Sequence, residues 1–215
     1  GKSGVGKSTL INLLTGSLKP EQGEIRINNY DIFKDHKNIE GLIGYIPQDD
    51  LLVEELTVFE NLYLSAQLCF GNLSKDEIVK RVGLLLKNLN LFEVKDLKVG
   101  TPLNKYISGG QRKRLNIALE LIREPWILFA DEPTSGLAIS DADEIMELLN
   151  YQAAKGKIVF ANIHQPSSEH FKLFDKILVL DKNGYPVYFG NPVDSIHYFN
   201  ETANKFVKLS DKCRL

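Results

Sequence analysis

GKSGVGKSTL, residues 1–10, satisfies the pattern G-x-x-x-x-G-K-[ST] through Gly1, Gly6, Lys7 and Ser8. Glycines at that spacing let backbone N–H groups converge on phosphate oxygens, with a helix N-terminus behind them. Lys7 is then placed to reach the outer phosphates of a nucleotide, and the Ser8 hydroxyl to ligate Mg²⁺. The bland alternative is a glycine-rich turn that matches by accident. A loop of this kind ordinarily follows a buried strand, whereas this sequence begins at the loop's first residue.

Downstream, apolar runs alternate with helical patterns. TLINLLTGSL reads as a helix that ends near Gly16, and a short alternating strand is expected over 24–28. GLIGYIPQ is a continuous apolar run, as a buried strand would be. TVFENLYLSAQL and SKDEIVKRVGLLLKNL read as helices, the second opened by a capping box of Ser74 and Glu77. WILFADEP (126–133) and KIVFANIH (157–164) are short apolar runs that stop abruptly in polar residues. Parallel strands deliver functional groups at their carboxyl ends in this way. Between them, SDADEIMELLNYQAAKG reads as an amphipathic helix with Ser140 as N-cap and Gly156 as its stop. KILVLDKNGYPVYFG reads as a hairpin around Asn183-Gly184. The expected architecture is an α/β sandwich with a helical lobe inserted near the middle.

The composition is ordinary globular material. Of 215 residues, 43% are hydrophobic and 25% charged, and the formal charge is -2. That balance requires no nucleic acid as partner. Cys69 and Cys213 fit no metal spacing, which points to a reduced cytosolic setting. No stretch reaches the roughly 20 apolar residues of a membrane span, and none reads as a signal peptide.

In WILFADEP, Asp131 at the strand end is placed to hold Mg²⁺, and Glu132 to orient or deprotonate an attacking water. Standing alone, such a pair would read as solvated acids. ISGGQRKRLNIALELI lies shortly before it, with Ser108-Gly109-Gly110 at the start of a helix whose N–H groups are open to an anion. Arg112, Lys113 and Arg114 fall in the first turn, where positive charge opposes the helix dipole. They mark either a nearby anion or acidic partner, or a merely solvated basic face.

Taken together, these segments resemble the nucleotide-binding domain of an ATP-binding-cassette (ABC) transporter. GKSGVGKST resembles the Walker A loop, Gln48 in YIPQDD the Q-loop, ISGGQ the signature and ILFADE Walker B. Ser135-Gly136-Leu137-Ala138 resembles the D-loop and His164 in NIHQPSS the H-loop. YIPQDDLLVEELTVFENL, SGGQRKRLNIALELI and IHQPSSEHFKLFDKILVL are most similar to G (White)-type half-transporters, especially bacterial ones.

The resemblance implies a P-loop NTPase fold, a three-layer α/β sandwich with a helical signature subdomain. Residues 1–50 and 125–200 would form the core, 51–124 the helical subdomain, and 201–215 the start of a connector. It implies ATP and Mg²⁺ as ligands. Gly1, Ser3, Gly4, Val5, Gly6, Lys7, Ser8 and Thr9 would bind ATP, and Ser8, Gln48 and Asp131 would hold Mg²⁺. Glu132, Gln48 and His164 would serve catalysis, with His164 contacting the γ-phosphate. Two cassettes would close head to tail, so that Ser108, Gly109, Gly110 and Gln111 of one meet the phosphate loop of the other. The implied setting is the cytoplasmic face of a membrane, in an exporter whose transmembrane domain follows in the same chain.

Ala138 departs from this family pattern, which has Asp there, so coupling between the two composite sites is in question. The beginning at Gly1 also leaves out the strand before the loop and the aromatic residue that stacks on adenine. The expectation is a fragment of a longer protein that is not competent on its own. Two other readings remain: a soluble ABC ATPase of the clamp or translation-factor type, and a binding-only cassette. Phe59 and Tyr63 in the helical lobe read as packing.

Overall fold

A computed structural model of the chain describes residues 4–101, 106–164 and 166–212, the side chains of 203–212 excepted. These residues fall into two units, one within Ser8–Ile163 and the other drawn from Gly1–Lys7 and His164–Leu215.

The larger unit begins with α1 (Lys7–Leu14), which stops where Gly16 takes a positive φ. A small hairpin follows, β1 (Arg26–Ile27) and β2 (Tyr30–Asp31), turning through Asn28 and Asn29 at φ 49° and 70°. Asparagine tolerates that left-handed backbone, so the turn takes up residues of the strand expected over 24–28 and leaves only two paired. After the single turn of α2 (His36–Ile39) comes β3 (Ile43–Ile46). It pairs in parallel with β4 (Ile127–Asp131), which pairs in parallel with β5 (Ile158–Asn162). β4 is central, and Leu128, Phe129 and Ala130 are buried in it, as a strand covered on both faces requires. The register sets Ala130 beside Ile46 and Ala161, and Asp131 beside Asn162. The three strands therefore finish at one edge.

Between β3 and β4 the chain is helical. α3 (Val58–Cys69) and α4 (Lys75–Asn88) both open with capping boxes, Thr57 with Glu60 and Ser74 with Glu77. In each box the side chains satisfy amides that the first helical turn would otherwise leave unpaired. Phe59 and Tyr63 stack one turn apart at 5.7 Å, half-buried. α5 (Gly109–Leu121) packs on α3, on β3 and on α6 (Ile139–Ala154), which also covers β5. Val58, Leu62, Val82, Leu86, Leu115 and Ile117 are fully buried among these elements.

The start of α6 corrects an expectation. Its N-cap is Ala138, not Ser140, and no side chain caps it. The pattern was misjudged by two residues because the extended backbone that a cap needs (φ -64°, ψ 156°) falls at Ala138, leaving Ser140 inside the first turn. Gly156 ends the helix as expected, at φ 90°.

In the smaller unit, α7 (Ser168–Lys172) is capped by the Ser167 hydroxyl, which accepts from His170 N at 3.1 Å. β6 (Ile177–Leu180) and β7 (Pro186–Gly190) form an antiparallel hairpin. Its connection is longer than two residues and turns through Asn183 and Gly184, both at positive φ, where the sequence placed it. α8 (Pro192–Lys212) starts on a proline, whose missing N–H a helix start does not need. Tyr188, Tyr198 and Phe199 cluster at its first turns. Among the described residues, no helix is long and apolar enough to cross a membrane.

Candidate functional site

The carboxyl edge of the parallel sheet gathers the acids. Asp131, the last residue of β4, is only 4% exposed. Its Oδ1 accepts a hydrogen bond from Asn162 Nδ2 at 2.5 Å, across the β4–β5 register. Glu132 follows, half-buried, with φ at 45°. Its N–H donates to Asn162 O at 2.9 Å, and its carbonyl accepts from Ser135 N at 3.1 Å. The strand therefore ends in a left-handed residue, and the two adjacent carboxylates differ in their surroundings. One is tucked against β5 and the other is partly open.

Gln48 stands two residues beyond β3 and is exposed. Its loop is tied to α5 by two of the three consecutive basic residues near that helix's start, Arg112 and Lys113. Lys113, 5% exposed, donates from Nζ to Pro47 O at 2.9 Å and to Gln48 O at 3.0 Å. Burial pushes its pKa down, against the opposing pull of the Asp50, Asp49 and Asp131 carboxylates. Arg112 Nε meets Asp50 Oδ2 at 3.0 Å, while its Nη1 donates to Gly100 O at 2.6 Å. Arg114 pairs with Glu144, and Asp141 lies 3.9 Å away. Further along α5, Glu120 accepts from Tyr45 N at 3.1 Å and so ties the helix to β3 itself. All three cations are buried, so the solvated-face reading fails. Their acidic partners are intramolecular, and two of the three charges hold the segment from Pro47 to Asp50.

Ser108 and Gln111 cap α5 reciprocally: Gln111 N donates to Ser108 Oγ at 3.1 Å, and Ser108 N to Gln111 Oε1 at 2.8 Å. The N–H groups of Gly109 and Gly110 are left as the helix's first unpaired donors, pointing outward along its axis. A Cβ at Gly110 would stand 2.1 Å from Asp141 Oδ1, so a side chain there requires the Asp141 carboxylate to move aside. Near this helix start, a depression of about 370 Å³ is lined by Gln48, Asp50, Gly109, Lys113, Ser135 and Leu137. It brings together three segments that lie far apart in sequence.

Among the other expected site residues, Ser8 and Thr9 are exposed at the start of α1. Gly4 and Gly6 take positive φ, as a loop that turns its amides inward requires. Gly1 and Ser3 lie outside the described residues. His164 is exposed, two residues after β5, and Ala138 is the uncapped start of α6.

The donor set suits Mg²⁺. Ser8, Gln48 and Asp131 offer hard oxygen ligands. No group of three or more His, Cys, Asp or Glu side chains that could cage a metal occurs among the described residues. One carboxylate with a hydroxyl and an amide matches a metal that keeps water and phosphate oxygens as its other ligands. Sequence reasoning gives no sign of Asn162, because a strand register decides what it faces, and it leaves the burial of Lys113 open, because a lysine in a basic run carries no sign of burial.

Comparison with known proteins identifies the family. Residues 1–135 match the family described as ABC transporter. The chain is 40% identical over 207 residues to the ABC-type transporter claG of Penicillium crustosum, covering 96% of this chain and 28% of that protein. It is 36% identical over 202 residues to ABC transporter G family member 26 of Arabidopsis thaliana, 93% of this chain and 29% of that one. It is 39% identical over 202 residues to the broad substrate specificity ATP-binding cassette transporter ABCG2 of Rattus norvegicus, 93% of this chain and 30% of that one. The chain thus spans under a third of the length of these relatives.

Proposed function

This chain belongs to the ABC transporter family, and from that premise we propose that it is the ATP-binding, ATP-hydrolysing domain that powers export by a G-type half-transporter. The observation that carries the proposal is the acid pair at the end of β4. Asp131 is buried and held by Asn162, while Glu132 is half-open on a left-handed backbone.

In this reading Gly1, Ser3, Gly4, Val5, Gly6, Lys7, Ser8 and Thr9 cradle the ATP phosphates, with Lys7 reaching the β- and γ-phosphates. Asp131, Ser8 and Gln48 hold the metal ion, and bound Mg²⁺ would neutralise charge on those phosphates. Glu132, half-open just beyond the end of β4, orients water for in-line attack and accepts its proton. His164 holds the γ-phosphate. Gly109 and Gly110 present their amides to the nucleotide of a second, head-to-tail copy of the cassette, whether identical or related. The D-loop Ser135-Gly136-Leu137-Ala138 lies on the same dimer face. Residues 1–50 and 125–200 act as the catalytic core and 51–124 as the helical subdomain. A transmembrane domain after residue 215 receives the motion at the cytoplasmic face of the membrane. The G-family names of the relatives support this arrangement.

The test is Glu132→Gln in the full-length protein. ATP turnover is expected to fall by at least about 100-fold, with an ATP-bound dimer accumulating in light scattering. Turnover at the unaltered rate would remove Glu132 from its role as base. Ala138 gives one point to a binding-only cassette, since the usual D-loop carboxylate is missing. Absence of turnover in the unaltered full-length protein, with ATP binding retained, would favour that reading.

A further inference from the structure

The side chain of Asn162 is in an unusual position for a residue whose only task is to complete a strand. It is 8% exposed, in a strand otherwise made of Ile, Val, Phe and Ala. Its Nδ2 donates to Asp131 Oδ1, while its own Oδ1 is buried with no partner among the described residues. The amide orientation follows from chemistry: a carboxylate only accepts, so the donor half of the amide must face it. An unsatisfied buried acceptor is costly, and an apolar β-branched residue at this position would avoid the cost entirely. The main-chain bond from Glu132 N to Asn162 O would survive any substitution, so it does not account for the asparagine. What only this side chain supplies is a neutral, fixed donor to one oxygen of Asp131.

We propose that Asn162 is a further positioning residue of the metal–nucleotide site, holding the Asp131 carboxylate in the rotamer that receives the cation. A neutral amide does this without a competing positive charge, and it leaves Asp131 Oδ2 and the full anionic charge available. A lysine or arginine in the same place would pair with the carboxylate and offset the charge that the metal needs. Partners that orient a ligating carboxylate commonly matter to metal affinity by 10–100-fold. The inference rests on the proposal that Asp131 holds the metal ion.

The experiment compares Asn162→Thr with Asn162→Val in the full-length protein. The two side chains have nearly the same shape, and only threonine has a hydroxyl that can donate to Asp131. Affinity for Mn²⁺ is measured by titration in the presence of a non-hydrolysable ATP analogue, and affinity for the analogue is measured separately without metal. Asn162→Val is expected to weaken Mn²⁺ binding by about 10-fold or more, with metal-free nucleotide affinity unchanged. Asn162→Thr is expected to recover most of the loss. Asn162→Ala, which adds no apolar bulk, answers the same question where the valine protein does not fold. Mn²⁺ affinity equal to the unaltered protein in both Val and Ala variants would overturn the proposal, as would equal losses in Mn²⁺ and metal-free nucleotide affinity. Asp131→Asn serves as the reference. If it leaves Mn²⁺ affinity intact, the role of Asp131 itself falls; if it abolishes binding while Asn162→Val leaves Mn²⁺ affinity unchanged, only the role of Asn162 falls.

Discussion

Glu132 takes φ of 45°, a backbone that costs an L-residue with a long side chain about 1–2 kcal/mol. Four of the other non-glycine residues at positive φ are asparagines, which tolerate it through local hydrogen bonding, and Glu124 is the fifth. Strain of this sort persists where surrounding bonds over-determine it, here the Glu132 N–H to Asn162 O bond and the turn to Ser135. It coincides with a change of environment: Asp131 before it is buried, and Glu132 is half-buried. Lys113 is the opposite case, a strain-free side chain with an expensive location. Replacing it with methionine removes two hydrogen bonds to Pro47 and Gln48 carbonyls but also relieves the burial of a cation. The opposing terms leave global stability within about 1 kcal/mol. The Gln48 loop, however, loses its tether. Amide hydrogen exchange over 48–52 is expected to accelerate in Lys113→Met while the thermal midpoint moves by only a few degrees. Unchanged exchange would show that Arg112 and Asp50 hold the loop without the lysine.

At the scale of elements, α5 is the part that couples others. It carries three consecutive cations, Arg112, Lys113 and Arg114, within its first six residues, against the helix dipole. Pairing with Asp50 and with Glu144 compensates, and in doing so joins α5 to the Gln48 loop and to α6. α6, in turn, lacks a side-chain cap because Ala138 stands where a cap is wanted. Ala138→Asp would place a carboxylate at that N-cap, able to accept from the backbone N–H groups of the first turn. The expected gain is about 0.5–2 kcal/mol, read as a raised denaturation midpoint in urea. The nearby acids Asp141 and Glu144 work against it by repulsion, so a gain near the lower end is expected at low ionic strength and a larger one in salt. A drop in stability at every ionic strength would mean that the first turn of α6 has no amide free to donate to the cap. The same substitution restores the usual family residue of the D-loop, so its ATP turnover reports separately on coupling between composite sites.

On the scale of the molecule, the parallel sheet is what makes the site possible. β4 is its centre, and Leu128 within it is fully buried. Leu128→Ala is expected to cost about 2–5 kcal/mol in denaturant unfolding, because a central strand between two partners relaxes poorly around a cavity. A cost under about 1 kcal/mol would mean that the sheet collapses around the gap and that its packing is loose.

The sequence alone determined the elements and the identity of the chemistry. Capping boxes such as Ser74 with Glu77, the helix stops at Gly16 and Gly156, and the turn at Asn183-Gly184 are contacts between near neighbours, so they can be read along the chain. The acid pair ending WILFADEP and the glycine spacing of GKSGVGKSTL are likewise contiguous. Where two local signals competed the reading slipped, as with Ser140 against Ala138, because the backbone dihedral that makes a cap has no residue label. Only the tertiary structure decided which distant side chains meet. Asn162 faces Asp131 through a parallel register, and Lys113 reaches Pro47 and Gln48 across 66 and 65 residues of chain. Such pairings depend on how strands align and helices pack, interactions summed over many residues, and no one stretch of sequence carries them.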